Sequence, residues 1–289
     1  MEKEHRAHIA VVTDSVACIP PPLARELEIH VIPLQVTLEG KTYLDGVDLT
    51  PTEFFRRLRE SRTPPTTSQP ALGRFAKLYA QVGQQPAGIV SIHVVGTLSA
   101  TLHAARLAAD QASPVPIRIV DSQTAAAAQG FVVLGAARAA RSGASLEEVV
   151  STAEYYRSRV GFFATLETLE YLRRGGRIGQ AAALLGSRLR ICPIVYLAEG
   201  QVRVSGVTRS RRRALQRMLD LTGARVGSVP VRASVFHADA IEEAKWLAQE
   251  VKRRLECVEF FISEFTPVMG AHSGPGTVGI AFCLEDRPK

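Results

Sequence analysis

The fold class is decided by the stretch Gly88-Ile89-Val90-Ser91-Ile92-His93-Val94 and the residues that follow it, Val95-Gly96-Thr97-Leu98-Ser99-Ala100-Thr101. The first seven residues are mostly apolar and β-branched, which is typical of a buried strand. The next seven are small or hydroxylated, and an alanine-rich segment through Ala109 predicts a helix. A strand, a short hydroxyl-rich loop and a helix N-terminus often bind an anion together. Ser99 and Thr101 are placed where their hydroxyls could reach the same ligand oxygens as backbone N–H groups.

The same order of strand and helix occurs on both sides of this stretch. Ile9–Val12 and Ile117–Val120 are each predicted to be a short strand, and Asp-Ser follows at residues 14–15 and 121–122. Asp14 or Ser15 could cap the turn behind the first strand. Repeated strand–helix units with short loops indicate a parallel sheet with flanking helices. The helices predicted here are Pro20 to Leu27, Pro51 onward with Thr50 as its cap, Gln129 to Ala140, and Ser145 to about Arg159.

A proline-rich segment, Thr63-Pro64-Pro65-Thr66-Thr67-Ser68-Gln69-Pro70, is predicted to be extended and irregular. Thr67 or Ser68 could cap a helix that starts near Pro70. Alternatively, these hydroxyls hydrogen-bond an oxyanion near that helix. The two interpretations are compatible.

The pattern changes after Val160. We predict an N-terminal α/β domain over residues 1–158 and a C-terminal α+β domain with a mostly antiparallel sheet over residues 159–289, without a flexible linker. The predicted strands of the second domain are Gly161–Thr165, Cys192–Ala198, Gln201–Thr208, Val231–His237, Cys257–Glu264 and Val278–Cys283. Its predicted helices are Thr168–Leu172, Ala181–Leu189, Arg211–Leu221 and Ala240–Leu255.

Near the end of the chain, the residues from Met269 to Ile280 pack four glycines, one proline and His272 between two apolar runs. Glycine allows positive φ and the close approach of a ligand to the backbone. One interpretation is a hairpin-like connection between strands with an exposed histidine. The other is a loop that holds His272 at a ligand site.

Composition excludes several classes of protein. Among the 289 residues no apolar run reaches the ~18 of a membrane span, and no apolar segment follows the N-terminal charges, so we expect a cytoplasmic protein. The four cysteines lack metal or redox spacing, and we expect no metal. The net charge of +7 favours an anionic ligand only weakly, and no nucleic-acid-binding motif is present. One basic cluster is either a solvated helix face or a docking face for a protein: Arg209, Arg211, Arg212, Arg213 and Arg217.

Eight short motifs, in this order, resemble the DegV family of bacterial fatty-acid-binding proteins, which includes the binding subunits of fatty acid kinase. The resemblance runs from about Ile9 to Phe282. The motifs are Val12-Thr13-Asp14-Ser15, Thr67-Ser68-Gln69-Pro70, Ser91-Ile92-His93, Leu98-Ser99-Ala100-Thr101, Val120-Asp121-Ser122, Leu169 to Ile178, Pro193-Ile194 and His272-Ser273-Gly274-Pro275-Gly276.

The resemblance implies that the protein binds a long-chain fatty acid such as palmitate, stearate or oleate, with no other cofactor. It implies that Thr67, Ser99 and His272 hold the carboxylate, and we expect Arg177, Ser68 and Thr101 to support them. A separate ATP-binding kinase subunit would then phosphorylate the carboxylate, so the protein itself is not expected to be an enzyme and has no catalytic residue. We also expect transient contact with a membrane surface and no nucleic acid as a partner.

Further residues are candidates for the acyl tunnel and for docking of the kinase. Arg209 and Arg213 are the docking candidates. The tunnel candidates, each of which could equally be an ordinary core residue, are Phe131, Phe162, Phe163, Leu166 and Leu169.

The sequence departs from the family pattern at several positions. Ala100 stands in place of a glycine, Cys192 in place of a lysine and Cys18 in place of a frequent aspartate, and Val95-Gly96 replaces a pair that is often serine-rich. These changes bear on the carboxylate site and on docking rather than on the fold.

The same residues are compatible with two other functions. One is a serine hydrolase that uses Ser99 and His272 with Asp121 or Asp14, although the G-x-S-x-G elbow is absent. The other is a regulatory or nucleic-acid-interacting lipid sensor that uses the arginine cluster.

Overall fold

The structure, a computed structural model, describes residues 8–112, 114–184 and 191–285. A parallel sheet lies at the centre of its first half. The order of its strands is β2-β1-β6-β7, and all neighbours are parallel. The strands are β1 Ile9–Asp14, β2 His30–Ile32, β6 Gly88–His93 and β7 Ile117–Asp121. The helices of this half are α1 Pro21–Glu26, α2 Pro51–Glu60, α3 Leu72–Val82, α4 Thr101–Ala112, α5 Ala126–Arg141 and α6 Leu146–Arg157.

A small antiparallel sheet beside it was not predicted. It consists of β3 Gln35–Leu38, β4 Lys41–Leu44 and β5 Thr66–Ser68, with β3 in the middle. Part of the proline-rich segment is therefore a strand, in which Thr67 pairs with Val36. Thr67 and Ser68 do not cap α3, because Ala71 occupies that position and makes no side-chain cap.

The second large sheet has the strand order β10-β9-β8-β13-β11-β12. Four of its five pairings are antiparallel, and β11 with β12 is parallel. The strands are β8 Val160–Thr165, β9 Cys192–Ala198, β10 Gln201–Thr208, β11 Val231–His237, β12 Cys257–Glu264 and β13 Val278–Leu284. The helices of this half are α7 Glu170–Arg174, α8 Arg211–Val226, α9 Ile241–Arg254 and α10 Pro267–Ser273.

The predicted fold class is confirmed, with differences in detail. The capping residues Thr50 and Ser145 accept the predicted hydrogen bonds from Glu53 N and Glu148 N. In place of the helix predicted over residues 181–189, a short 3₁₀ helix spans Gly179–Leu184, and residues 185–189 lie outside the described part.

The hydrophobic core runs through both halves of the chain. Helix α5 contacts β1 of the first sheet and β8 and β13 of the second. One continuous cluster contains Val11 and Phe131 together with Ala164 and Phe236. The boundary predicted at residues 158/159 falls between α6 and β8 and stays a prediction. Among the helices in the described ranges, none combines the length and hydropathy of a membrane span.

A buried polar network ties the parallel sheet to its helices around Asp14, which is 0% exposed. One carboxylate oxygen of Asp14 accepts hydrogen bonds from His93 Nδ1 and Val94 N, both at 2.9 Å. The other accepts from Val16 N at 3.0 Å and Gln129 Nε2 at 3.1 Å. Because four donors converge on one carboxylate, the charge is compensated despite its burial.

This network predicts that Asp14→Asn destabilises the protein. The amide retains one acceptor oxygen and turns its NH₂ group toward donors that then lose their partner. We expect a loss of about 3 kcal/mol in the free energy of unfolding, measured by denaturant titration. Asp110→Asn, at an exposed position of α4, is the matched control. A loss below about 1 kcal/mol for Asp14→Asn would contradict this account.

Candidate functional site

An apolar cavity of about 200 Å³ lies between the two halves of the chain. By the volume that one enclosed water needs, it has room for on the order of ten to twenty water-sized groups. Its walls come from the ends of the parallel sheet, from the inner face of the second sheet and from α10. The apolar wall includes Val16, Leu34, Val94, Leu98, Phe162, Leu166, Val195, Leu197, Phe236, Phe265, Val268 and Met269.

Two polar residues of the cavity lining, Thr67 and His272, are in contact, and this part of the lining is called its polar end. Thr67 Oγ1 and His272 Nε2 are hydrogen-bonded at 2.8 Å, although 205 residues separate them in sequence. Thr67 is fixed by the pairing of β5 with β3, and His272 lies in the last turn of α10. The hydrogen bond therefore joins the N-terminal strand β5 to the C-terminal helix α10 at the cavity wall.

Ser99 lies at the mouth of the same cavity, in the loop between β6 and α4. Its hydroxyl pairs with Thr101 Oγ1 at 2.8 Å and accepts a hydrogen bond from Thr101 N at 3.2 Å. Ser68 and Ala100 are exposed at the rim. Ser68 donates to Gln35 Oε1 at 3.1 Å, so its side chain is turned along the small sheet.

Arg177 brings a permanent charge to the polar end. Its Nε donates to the carbonyl of Leu98 at 3.0 Å, and its Nη1 donates to the carbonyl of Gly175 at 2.5 Å. These bonds hold the guanidinium between the mouth loop and α7. Burial, and secondarily the charge of Arg177, lowers the pKa of His272 to about 4. At neutral pH the site thus combines a neutral imidazole with one fixed positive charge.

The position of His272 corrects the expectation of a histidine held in a glycine-rich loop. His272 belongs to helix α10, and the glycine turn follows it. The two strands on either side of this segment are not neighbours, because β11 separates β12 from β13. Gly274 has φ +75, and a Cβ there would overlap the ring of Tyr171. A Cβ on Gly175 would overlap Nδ1 of His272, so the close approach of the imidazole to α7 requires glycine at position 175.

Asp45 anchors the other end of α10 and was missed from sequence. Its side chain is 2% exposed and accepts a hydrogen bond from Val268 N at 2.8 Å. Burial raises the pKa of Asp45 to about 6. A carboxylate at the first turn of a helix stabilises that turn. No local pattern marks Asp45, because its partner lies 223 residues away.

Two of the five predicted tunnel residues line the cavity: Phe162 and Leu166. Phe163 faces the opposite side of β8, since neighbouring side chains alternate along a strand, and packs against Tyr196 and Phe282. Phe131 packs against Phe261 with ring centroids 5.4 Å apart. Leu169 is a core residue outside the lining.

The geometry does not form the hydrolase triad. His272 Nε2 bonds Thr67 rather than Ser99, and its Nδ1 has no partner among the described residues. A triad requires a carboxylate at that second nitrogen. Asp14 is engaged in the core network, and the Asp121 oxygens accept hydrogen bonds from Gln123 N and Gly96 N.

A Ser–His–Asp chain does occur in the core. His93 Nε2 lies 2.7 Å from Ser91 Oγ, and Asp14 holds His93 Nδ1. All three side chains are 0% exposed, and none lines the cavity. A substrate has no access to this serine, so its role is structural.

The arginine cluster divides into two kinds of residue. Arg211 is part-buried and donates to Glu243 Oε2 at 2.6 Å and to the carbonyl of Gly276, so it supports the glycine turn. Arg209 and Arg213 are exposed. Within the described ranges, no group of histidine, cysteine, aspartate and glutamate side chains has the arrangement of a metal site.

Comparisons with known proteins agree with this architecture. Residues 8–285 match the family described as "Uncharacterised protein, DegV family". Protein DegV of Bacillus subtilis is 34% identical over 280 residues, which cover 96% of this chain and 100% of that protein. A DegV domain-containing protein of Streptomyces coelicolor is 37% identical over 278 residues, which cover 94% and 97% of the two chains.

Two solved structures are similar over their whole length. A DegV family protein from Thermus thermophilus, described for its fatty acid binding, has a TM-score of 0.90 at 36% identity, covering 96% of this chain and 100% of that one. Bacillus subtilis DegV, described as a fatty acid binding protein, has a TM-score of 0.89 at 33% identity with the same coverage. On the match over residues 8–285 and the identity to these relatives, the chain belongs to the DegV family.

Proposed function

We propose that the protein binds a long-chain fatty acid, with the acyl chain in the apolar cavity and the carboxylate at Thr67, Ser99 and His272. The observation that carries this proposal is the character of the site: a cavity with mostly apolar walls in which the Thr67 hydroxyl and the His272 imidazole meet. A fatty acid has the same division into one polar and one apolar part. The description of two solved relatives as fatty-acid-binding proteins supports the assignment.

The acyl chain supplies most of the affinity. Each buried methylene contributes about 0.8 kcal/mol, so a chain of roughly fifteen methylenes offers about 12 kcal/mol as an upper bound. The carboxylate would lose more by desolvation than it gains unless it is hydrogen-bonded. Neutral donors meet that need, and Arg177 adds a charge of opposite sign nearby. Palmitate, stearate and oleate are the ligands we propose.

We also propose that a partner protein phosphorylates the carboxylate of the bound fatty acid. The exposed rim at Ser68 and Ala100 leaves the polar end accessible to a partner. We expect a separate ATP-binding kinase subunit to dock there and phosphorylate the fatty acid, with Arg209 and Arg213 contributing to docking. The chain itself contains no glycine-rich phosphate loop with a Walker lysine. Loading from a membrane surface and a cytoplasmic location belong to the same proposal.

Removing both hydroxyls tests the carboxylate site. Thr67→Ala with Ser99→Ala should weaken palmitate binding by about 2 kcal/mol, roughly thirtyfold, because hydrogen bonds to a charged group are lost while burial of the chain is kept. Kinase-dependent phosphorylation should fall much further, since the carboxylate loses its orientation. Binding is measured by displacement of a fluorescent fatty acid. Ser142→Ala with Thr152→Ala, which removes the same groups from the C-terminal cap of α5 and from α6, is the control. Unchanged affinity in the double variant would reject the assignment.

The lowered pKa of His272 predicts how stability depends on pH. The folded protein keeps His272 neutral down to about pH 4, whereas the unfolded chain protonates it near 6.5. Protons therefore favour the unfolded state between these values, and stability falls as the pH falls from 6.5 to 4, by at most about 3 kcal/mol from this residue.

His272→Gln should reduce the loss of stability that the wild type shows between pH 7 and pH 5, measured by denaturant titration of the ligand-free protein. His103→Gln, at an exposed position, should leave it unchanged. Parallel pH profiles for the wild type and His272→Gln would show that His272 is not the buried titrating group.

Reversal of charge tests the proposed docking face. Arg209→Glu with Arg213→Glu should weaken binding of the kinase subunit about tenfold or more and leave palmitate affinity unchanged, because both side chains are exposed and neither lines the cavity. Arg74→Glu with Lys77→Glu on α3 makes the same change in net charge and is the control. Equal kinase affinity for the two double variants, measured by surface plasmon resonance, would place docking elsewhere.

A further inference from the structure

A second concavity adjoins the mouth of the acyl cavity and has a different character. This groove has a volume of about 650 Å³ and shares Leu98, Ser99, Ala100 and Arg177 with the cavity. A chemical group that is attached to a carboxylate at Ser99 and extends toward solvent on this side therefore enters the groove.

The groove is lined by two arginines, Arg106 and Arg177, whereas Arg177 is the one arginine in the described lining of the acyl cavity. His103 and Arg106 line it from α4, three residues apart and thus on the same face of the helix. Both are exposed, and Arg106 makes no ion pair or hydrogen bond within the described part of the chain. Arg177 lines the groove at its junction with the cavity.

One acidic residue lines the groove, and it does not neutralise these cations through an ion pair. The oxygens of Asp121 accept hydrogen bonds from the backbone N–H groups of Gly96 and Gln123, at 3.3 and 2.8 Å. A guanidinium with no carboxylate partner, in the same groove as a second guanidinium, suits a ligand with more than one negative charge.

On this basis we infer that the groove binds the phosphoryl group of an acyl phosphate whose chain occupies the cavity. The inference rests on the proposed function, in which a carboxylate oxygen of the fatty acid attacks the terminal phosphorus of a nucleoside triphosphate held by the kinase. A new oxygen–phosphorus bond forms, the bond from that phosphorus to the bridging oxygen breaks, and the nucleoside diphosphate leaves with the electron pair. The product is longer than the fatty acid by one phosphoryl group, and the groove accommodates that extension.

The role of each arginine then differs. Arg177 lies beside the carboxylate of the substrate and beside the acyl carbonyl of the product. Arg106 lies only in the groove and contacts only the product. The protein would therefore discriminate between a fatty acid and an acyl phosphate of the same chain length through Arg106.

The test compares two ligands that share a sixteen-carbon acyl chain. One is palmitate, and the other is a non-hydrolysable phosphonate in which a methylene replaces the oxygen between the acyl carbon and phosphorus. We expect Arg106→Gln to weaken phosphonate binding at least fivefold and to change palmitate binding less than twofold, in titrations of the full chain without kinase. Arg217→Gln, an exposed position on α8, is the matched control and should affect neither ligand.

The outcomes separate the two proposals. Absence of palmitate binding to the wild type would reject fatty acid binding itself. Binding of both ligands to the wild type, with equal effects of Arg106→Gln on the two, would overturn the phosphoryl site alone. A selective loss of phosphonate affinity that shrinks as salt is raised supports it, because exposed charge contacts are screened by salt.

Discussion

The hydrogen bond between Thr67 and His272 is the contact on which the cavity depends. It joins the edge of the small N-terminal sheet to a helix near the C-terminus, across 205 residues. Both residues line the apolar cavity, and Ser68 and Ala100 are exposed at its rim. A ligand carboxylate at this position would touch both halves of the chain.

The imidazole can hold this position because its surroundings keep it neutral. Burial and the nearby Arg177 both disfavour a second positive charge. Arg177 is in turn fixed by two backbone carbonyls and by no carboxylate in the described part of the chain. A neutral hydrogen-bonding pair with one adjacent cation is well matched to a single carboxylate, whereas a protonated histidine within an ion pair would close the site to the ligand.

Helix α10 carries this chemistry although it is only seven residues long. So short a helix is not stable by itself. Asp45 supplies an acceptor for its first turn, Arg211 holds the carbonyl of Gly276 beyond its end, and glycines at 175 and 274 let Tyr171 and the imidazole pack closely. The helix is thus ordered by its tertiary contacts, which come from both halves of the chain.

The sequence by itself determined the local elements of this protein: the strand and loop at residues 88–101, the caps at Thr50 and Ser145, and the strands Cys192–Ala198 and Gln201–Thr208. These follow from interactions between neighbours, which a periodic pattern records. The sequence motifs also indicated Thr67, Ser99 and His272, all of which line the cavity. Only the tertiary structure decided three features: that His272 lies in a helix, that Asp45 anchors α10, and that Phe162 rather than Phe163 lines the cavity. Each depends on which distant segments pack together, and no local pattern contains that information.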